Sequence, residues 1–201
     1  ELMEEVGELL IEVLSCNTPK KVTYQQLFIE HLGIDPLATS HDELKSYLVA
    51  HGLSSAWLLN SEGTDTLLQF LFSEVIEPKI GTDEPCFVYN FPSSQASLAK
   101  ISCEDTRVAE RFECYYQGVE LANGFHELTN ADEQRQRFDT DNYQRKVNKL
   151  STKPIDKNFI AALQSGLPDC AGVALGVDRL IMLALNKNTI KEVITYDIED
   201  A

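Results

Sequence analysis

The chain has 201 residues, 43% hydrophobic and 24% charged, and its 17 basic against 32 acidic residues leave a formal net charge of −15. This composition is ordinary for a globular chain, has the wrong sign for a surface gripping nucleic acid through many phosphates, and makes most acidic side chains a solvated surface. No apolar run reaches the length of a membrane span and no signal peptide opens the chain, so a cytoplasmic protein is expected.

The first eighty residues read as helices. Leu2, Met3, Val6, Leu9, Leu10, Val13 and Leu14 make one apolar face at helical spacing. Thr23 and Gln26 form a capping box before Leu27, Phe28 and Leu32, with Gly33 and Pro36 as stop signals. Ser40 and Glu43 repeat the device before Leu44, Tyr47 and Leu48, and Gly52 closes that helix. Asp65 is expected to cap a fourth helix carrying Leu67, Leu68, Leu71, Phe72 and Val75, stopped at Pro78.

After "EPKIGTDEP" the composition shifts. "CFVYNFP" predicts a strand ending at Pro92, and "RFECYYQGVELANG" predicts two strands joined near Gln117-Gly118. Helices are expected from about Asp132 to Lys149 and from Asp156 to Leu163, then a strand at "GVAL" and a last helix from about Val177 to Leu185. Helices followed by strands mixed with helices, without regular alternation, predict an α+β fold with a mainly antiparallel sheet.

Cys16, Cys86, Cys103, Cys114 and Cys170 are scattered without a CxxC pair, which predicts reduced thiols rather than a zinc site or a disulfide framework. His31, His41, His51 and His126 have no metal-ligand spacing, and His126 receives no role. Glu120 and Glu127, in "YYQGVELANGFHEL", are candidates to share a hard cation such as magnesium, which takes oxygen ligands. Their separation is odd, so an unbroken strand would send them to opposite faces; Asn123-Gly124 between them is the expected place for a turn or bulge that reunites them. On spacing alone, two surface glutamates beside a turn is the simpler reading. Glu113 is a further candidate, or a partner for Arg111.

"GVALGVDRL" raises the same choice. Gly172 and Gly176 permit close approach to the backbone, and Arg179 in the first helical turn opposes the helix dipole, a cost that a bound anion offsets. Its planar guanidinium suits an aromatic base or phosphate oxygens. The plainer alternative is a strand feeding an amphipathic helix, with Arg179 paired to Asp178.

Taken together, "RFECYYQGVELANGFHEL" and "GLPDCAGVALGVDRLIML" resemble class II aminoacyl-tRNA synthetases of the lysyl type, with "GVALGVDRL" as their motif 3. "FPSSQASLAKIS", "VAERFE", "GVELANGFHELT" and "PDCAGVALGVDRL" are closer to a paralogous family that attaches β-lysine to elongation factor P, and this likeness spans essentially the whole chain. Ordinary lysyl-tRNA synthetases read like GNGFSELND and GLGIGIDR where this chain has "ANGFHELTN" and "GVALGVDR"; Ala174 thus adds a methyl group at the amino-acid pocket.

The resemblance implies part of a class II catalytic core, with residues 1–80 a helical insertion module and 81–201 the C-terminal part of the core. It implies ATP and Mg2+, with Glu120 and Glu127 holding the metal and Glu127 also near the substrate amine. Leu121 and Gly176 would line the ATP site through their backbones, Arg179 would stack on adenine and reach the terminal phosphate, and Ala174 would touch the amino acid. The implied partners are lysine or β-lysine and elongation factor P as acceptor, rather than tRNA, in a homodimeric full-length protein. The upstream motifs 1 and 2 of such enzymes are not found, and residue 1 is Glu1 rather than Met; an inactive C-terminal fragment is therefore expected. A fragment of a true lysyl-tRNA synthetase and a non-catalytic binding protein on a synthetase remnant are the alternatives.

Overall fold

The first helix, α1 (Leu2–Leu14), buries Val6 and Leu10 and ends on Ser15 in the left-handed conformation. Leu9 and Val13, expected on the same apolar face, remain exposed. The computed structural model from which these features are read describes residues 1–61 and 63–196.

The all-helical expectation for the first eighty residues fails at one point: Lys20–Thr23 form strand β1. Helix α2 (Tyr24–Leu32) begins at Thr23 and α3 (His41–Ala50) at Ser40, each with both bonds of its capping box in place. A one-turn helix that the sequence reading missed, α4 (Ala56–Leu59), is capped by Ser55. Helix α5 (Thr64–Leu71) is capped at Gly63 and not at Asp65. The Asp65 carboxylate is engaged elsewhere, accepting from Ser94 Oγ at 2.7 Å and Gln95 Nε2 at 3.2 Å. A π-helical turn, Phe72–Ile76, and a 3-10 turn at Glu77–Lys79 containing Pro78 carry the chain to the next strand.

Strand β2 (Cys86–Pro92) pairs with β1 in parallel and with β3 (Val108–Tyr116) antiparallel. The hairpin to β4 (Val119–His126) turns at Gln117 and Gly118, with φ of 50° and 73°, the two left-handed residues of a tight two-residue turn. Helices α6 (Ala131–Val147) and α7 (Lys157–Gln164) follow, capped by Asn130 and Asp156. Strand β5 (Ala171–Leu175) returns beside β4 and runs into α8 (Val177–Ala184). The sheet order is β1-β2-β3-β4-β5, antiparallel except for the first pair.

One face of this sheet packs on α2, α3 and α5, where Tyr24, Phe28, Leu44, Leu67 and Phe72 meet Val88, Phe91 and Tyr115. The other packs on α1 and α8, where Val6, Leu10 and Leu180 meet Phe87, Phe112, Cys114, Leu121 and Ala122. This is the α+β arrangement expected, with the sheet between two helical layers. All five cysteines are free. Among the described residues no helix is long and apolar enough to cross a membrane.

Candidate active site

The geometry of the site turns on one residue of register. Cys114 faces Ala122 across the β3–β4 ladder, yet the next residue, Tyr115, faces Glu120, so Leu121 is an extra residue in β4. Leu121 and Ala122 consequently both join the apolar cluster under α1 and α8. Glu120 and Asn123 fall on the opposite face, opposite Tyr115 and Glu113. A bulge of this kind offsets the alternation of a strand by one, and it puts Glu120, Asn123, Phe125 and Glu127 on one side. The reuniting irregularity is therefore at Leu121. Asn123-Gly124, where it was expected, lies in unbroken ladder opposite Glu113 and Phe112.

On the same face, Arg111, Glu113, Tyr115 and Asn123 form a closed polar network. Arg111 Nη2 and Asn123 Nδ2 donate to Glu113 Oε1, the latter at 3.2 Å, and Tyr115 Oη donates to Glu113 Oε2. Arg111 also donates to Asn123 Oδ1 at 3.3 Å and to the Gln95 carbonyl at 2.9 Å, and its guanidinium lies 4.6 Å from the centre of the Phe91 ring. The pairing of Glu113 with Arg111 anticipated from sequence is present. Its other partners, buried Tyr115 and half-buried Asn123, were missed, because the register that brings them together is not a local property.

The carboxylate nearest in effect to Glu120 is Glu113. Burial first, and then Glu113, push the Glu120 carboxyl above the usual range, while Arg179 opposes the shift. Glu77 is raised by burial and by Glu120 and Glu113 together. Glu113 thus makes both Glu120 and Glu77 harder to ionise, and Glu120 adds to the effect on Glu77, a field that favours a cation. Glu127 is raised by its own burial, with His126 opposing. It stands at the far end of β4: its N–H donates to the Cys170 carbonyl at 3.0 Å, and a Cβ added at Gly172 would overlap Glu127 Oε1. Gly172 therefore supplies the space in which the Glu127 carboxylate lies. Ala174, exposed and opposite Asn123, carries the methyl group of this face of β5.

Arg179 is not paired with Asp178. Its Nη1 donates to the Glu120 carbonyl at 2.7 Å and lies 3.8 Å from Glu120 Oε2, and its stem covers Gly176, where a Cβ would come within 3.2 Å of Arg179 Cδ. The Gly176 N–H donates to the Leu121 carbonyl at 2.9 Å. The backbones of Leu121 and Gly176 are thereby tied to each other, and the Leu121 side chain is buried on the opposite side of the sheet. Leu121, Glu120, Gly176 and Arg179 form one continuous edge of the site, with Ala174 and Glu127 farther along it.

His126, left without a role by sequence, sits in a second polar cluster beside the site. Its Nδ1 meets Glu110 Oε2 and its Nε2 lies 2.8 Å from Asp169 Oδ1, which also takes Lys100 Nζ. Hydrogen bonds to Asp169 and then Glu110 raise the His126 pKa. This cluster fastens the segment before β5 against β3 and β4. Its members lie 16, 26 and 43 residues from His126, which hid it from pattern reading. Among the described residues no group of three or more His, Cys, Asp or Glu side chains is arranged to hold a metal ion by itself. The oxygen donors of Glu120 and its neighbours nevertheless fit magnesium, which commonly keeps waters and substrate phosphates in its shell.

Residues 8–199 match the family profile described as tRNA synthetases class II (D, K and N). The chain is 54% identical over 200 residues to the elongation factor P–(R)-β-lysine ligase of Sodalis glossinidius (strain morsitans). It is 55% identical to the ligase of that name from Edwardsiella ictaluri (strain 93-146) and 54% to that from Yersinia pestis (strain Pestoides F). Each comparison covers 100% of this chain and 61% of the relative, so the chain spans less than two thirds of the length of these curated proteins. With a family match over nearly its whole length, and a mainly antiparallel sheet carrying both of the motifs read from sequence, the chain belongs to the class II tRNA synthetases of the D, K and N group.

Proposed function

We propose that the complete protein uses ATP to activate (R)-β-lysine, or lysine, as an acyl-adenylate and passes the acyl group to a lysine amine of elongation factor P, in the cytoplasm. The reading is supported by the names of its relatives and, from the chain itself, by one observation: the extra residue at Leu121 gathers Glu120 and Glu127 on the face of the sheet edged by Arg179. A function that needed only a surface patch gives no reason for this offset.

In this reading Glu120 and Glu127 hold magnesium, with Glu113 behind Glu120, and the ion when bound supplies charge neutralisation for the phosphates. Glu127, lying over Gly172, also faces the substrate amine, and Ala174 bounds the amino-acid pocket. One methyl group shapes such a pocket only modestly, so Ala174 tunes the choice between lysine isomers without fixing it alone. Arg179 releases the Glu120 carbonyl, stacks on the adenine and reaches the terminal phosphate, while Leu121 and Gly176 keep the backbone edge rigid beside the nucleotide. The amino-acid carboxylate attacks the α-phosphorus and pyrophosphate leaves; the site contributes positioning and electrostatic stabilisation of that displacement. The acceptor amine then attacks the acyl carbon and AMP leaves.

We further propose that residues 1–80 act as a helical insertion module and 81–201 as the C-terminal part of the catalytic core. The complete protein acts as a homodimer, and this chain alone is inactive. The test is ATP–pyrophosphate exchange by the complete protein with lysine and with (R)-β-lysine, followed by transfer to elongation factor P or to tRNA. Exchange with transfer to the protein acceptor is expected. Exchange with lysine and charging of tRNA would replace this reading with a lysyl-tRNA synthetase, and no exchange with either would remove both.

A further inference from the structure

A groove on the helical side of the molecule is unaccounted for by the chemistry above. It has a volume of about 580 Å³ and runs between the α4–α5 region, with Trp57, Asn60 and Thr66, and the C-terminal end of α6, with Val147 and Lys149. Trp57 is 66% exposed, and on α6 and just beyond it Tyr143, Val147 and Leu150 are 64%, 48% and 54% exposed. Tyr143 and Val147, four residues apart, lie on one side of α6, and Leu150 follows just past its end. Exposed Trp57 and Val147 face each other across the groove, with Tyr143 and Leu150 exposed close to Val147 in the chain, a gathering of large apolar side chains that marks a contact surface.

Charge identifies what fits it. The chain as a whole carries −15, yet residues 142–157 hold Arg145, Lys146, Lys149, Lys153 and Lys157 against Asp156 alone. None of these five makes an ion pair among the described residues; Arg145 donates only to the Ser151 carbonyl, at 2.7 Å. Basic groups at Arg107, Arg111, Arg137 and Arg179 are, by contrast, all paired with carboxylates. A positive patch with Lys149 in the groove wall and Lys146 beside Val147, next to an aromatic and aliphatic centre, has the anatomy of a protein interface, apolar in the middle and charged at the rim. A nucleic acid would need the positive field to continue over many phosphates, and the surrounding acidic surface opposes that.

The groove also leads to the site. Thr66 lines it, and Asp65, its neighbour in α5, bonds Ser94 and Gln95. The Gln95 carbonyl in turn holds Arg111, the partner of Glu113. We propose that this groove docks an acidic face of the protein acceptor, with Trp57 as the apolar anchor and Lys146 and Lys149 as the charged rim. The inference rests on the function proposed above and extends it to how the acceptor is held.

The experiment uses the complete protein with elongation factor P as acceptor and compares Trp57→Ala and Lys146→Glu/Lys149→Glu with wild type. ATP–pyrophosphate exchange is measured beside the dependence of transfer on acceptor concentration. Each variant is expected to raise the acceptor KM about tenfold or more, the size typical of losing an interface anchor or reversing rim charge, with exchange held within about twofold. Added salt should raise the acceptor KM of wild type more steeply than that of the charge-reversed variant. An unchanged acceptor KM with normal exchange overturns the docking proposal and leaves the proposed function standing. So does equal loss of exchange and transfer, which would make the groove part of the activating site, and so does weaker tRNA binding with unchanged transfer. Wild-type protein with no exchange removes the proposed function and the docking proposal with it.

Discussion

Arg179 reaches 59 residues back along the chain to place its Nη1 2.7 Å from the main-chain carbonyl of Glu120, and it lies 3.8 Å from the carboxylate of the same residue. One guanidinium therefore reads both the backbone and the side chain of a strand residue whose own charge is discouraged by burial and by Glu113. Arg179→Ala in the complete protein is expected to abolish ATP–pyrophosphate exchange. Because the side chain is about half exposed, the pair contributes at most about 1 kcal/mol to stability, and thermal melting should barely move. Retained exchange would show that the arginine has no part in nucleotide binding.

Gly172→Ala adds a methyl group where the Glu127 carboxylate lies. The backbone there needs no left-handed conformation, so the fold should persist while Glu127 is pushed aside. The expected result is a raised KM for the amino acid, with little change in melting temperature. An unaltered amino-acid KM would place the substrate amine away from Glu127.

Removing one partner from the Arg111–Glu113 pair leaves the other charged and nearly enclosed, since their side chains are 16% and 10% exposed. Such breaks cost on the order of 3–5 kcal/mol. Arg111→Met should lower stability by about that amount in denaturant titration, and Glu113→Gln by less, because the amide oxygen still accepts from Asn123 while its NH2 donates to the Tyr115 hydroxyl.

The His126 pKa is raised in the folded state, chiefly by Asp169 and Glu110. Its contribution to stability is therefore complete below the ordinary histidine pKa of about 6.5 and is lost as pH rises through the raised folded value. Melting temperature measured across that range should fall more for wild type than for His126→Gln. Parallel curves for the two proteins would mean that His126 does not titrate with folding.

Gln134 is 1% exposed, and neither end of its side-chain amide has a hydrogen-bond partner in the structure. A buried amide without partners costs about 1–3 kcal/mol, and an apolar side chain of similar shape relieves that cost. Gln134→Met should raise the melting temperature; a marked fall would indicate an ordered water or other partner at the amide.

How far the sequence foretold this molecule depended on the range over which each feature is decided. The capping boxes at Thr23 and Ser40 were legible because both partners lie three residues apart, and both formed. The Gln117-Gly118 turn was legible for the same reason. Lys20–Thr23 was not: four residues with one buried side chain carry almost no periodic signal, and their strand exists through pairing with Cys86–Tyr89. Asp65 has the composition of a cap, but Ser94 and Gln95 claim its carboxylate from about thirty residues away. At the site, residue identity pointed to Glu120, Glu127 and Arg179, whereas the network around Glu113 and the cluster around His126 depend on strand register and so lay beyond local reading.

The extra residue at Leu121 makes the site a matter of parity. Straightening β4 at Leu121 without removing a residue would leave every side chain chemically intact and still turn Glu120 toward the apolar layer while Asn123 and Glu127 kept their places. One residue inserted between Glu120 and Glu127 with the bulge kept would part the two glutamates, whereas the exposed turn at Gln117-Gly118 lies outside that interval. In related chains the odd interval between the two glutamates is the thing to count. An even interval there, without a bulge to offset it, would also put them on one face, but by a different backbone and with a different edge presented to Arg179.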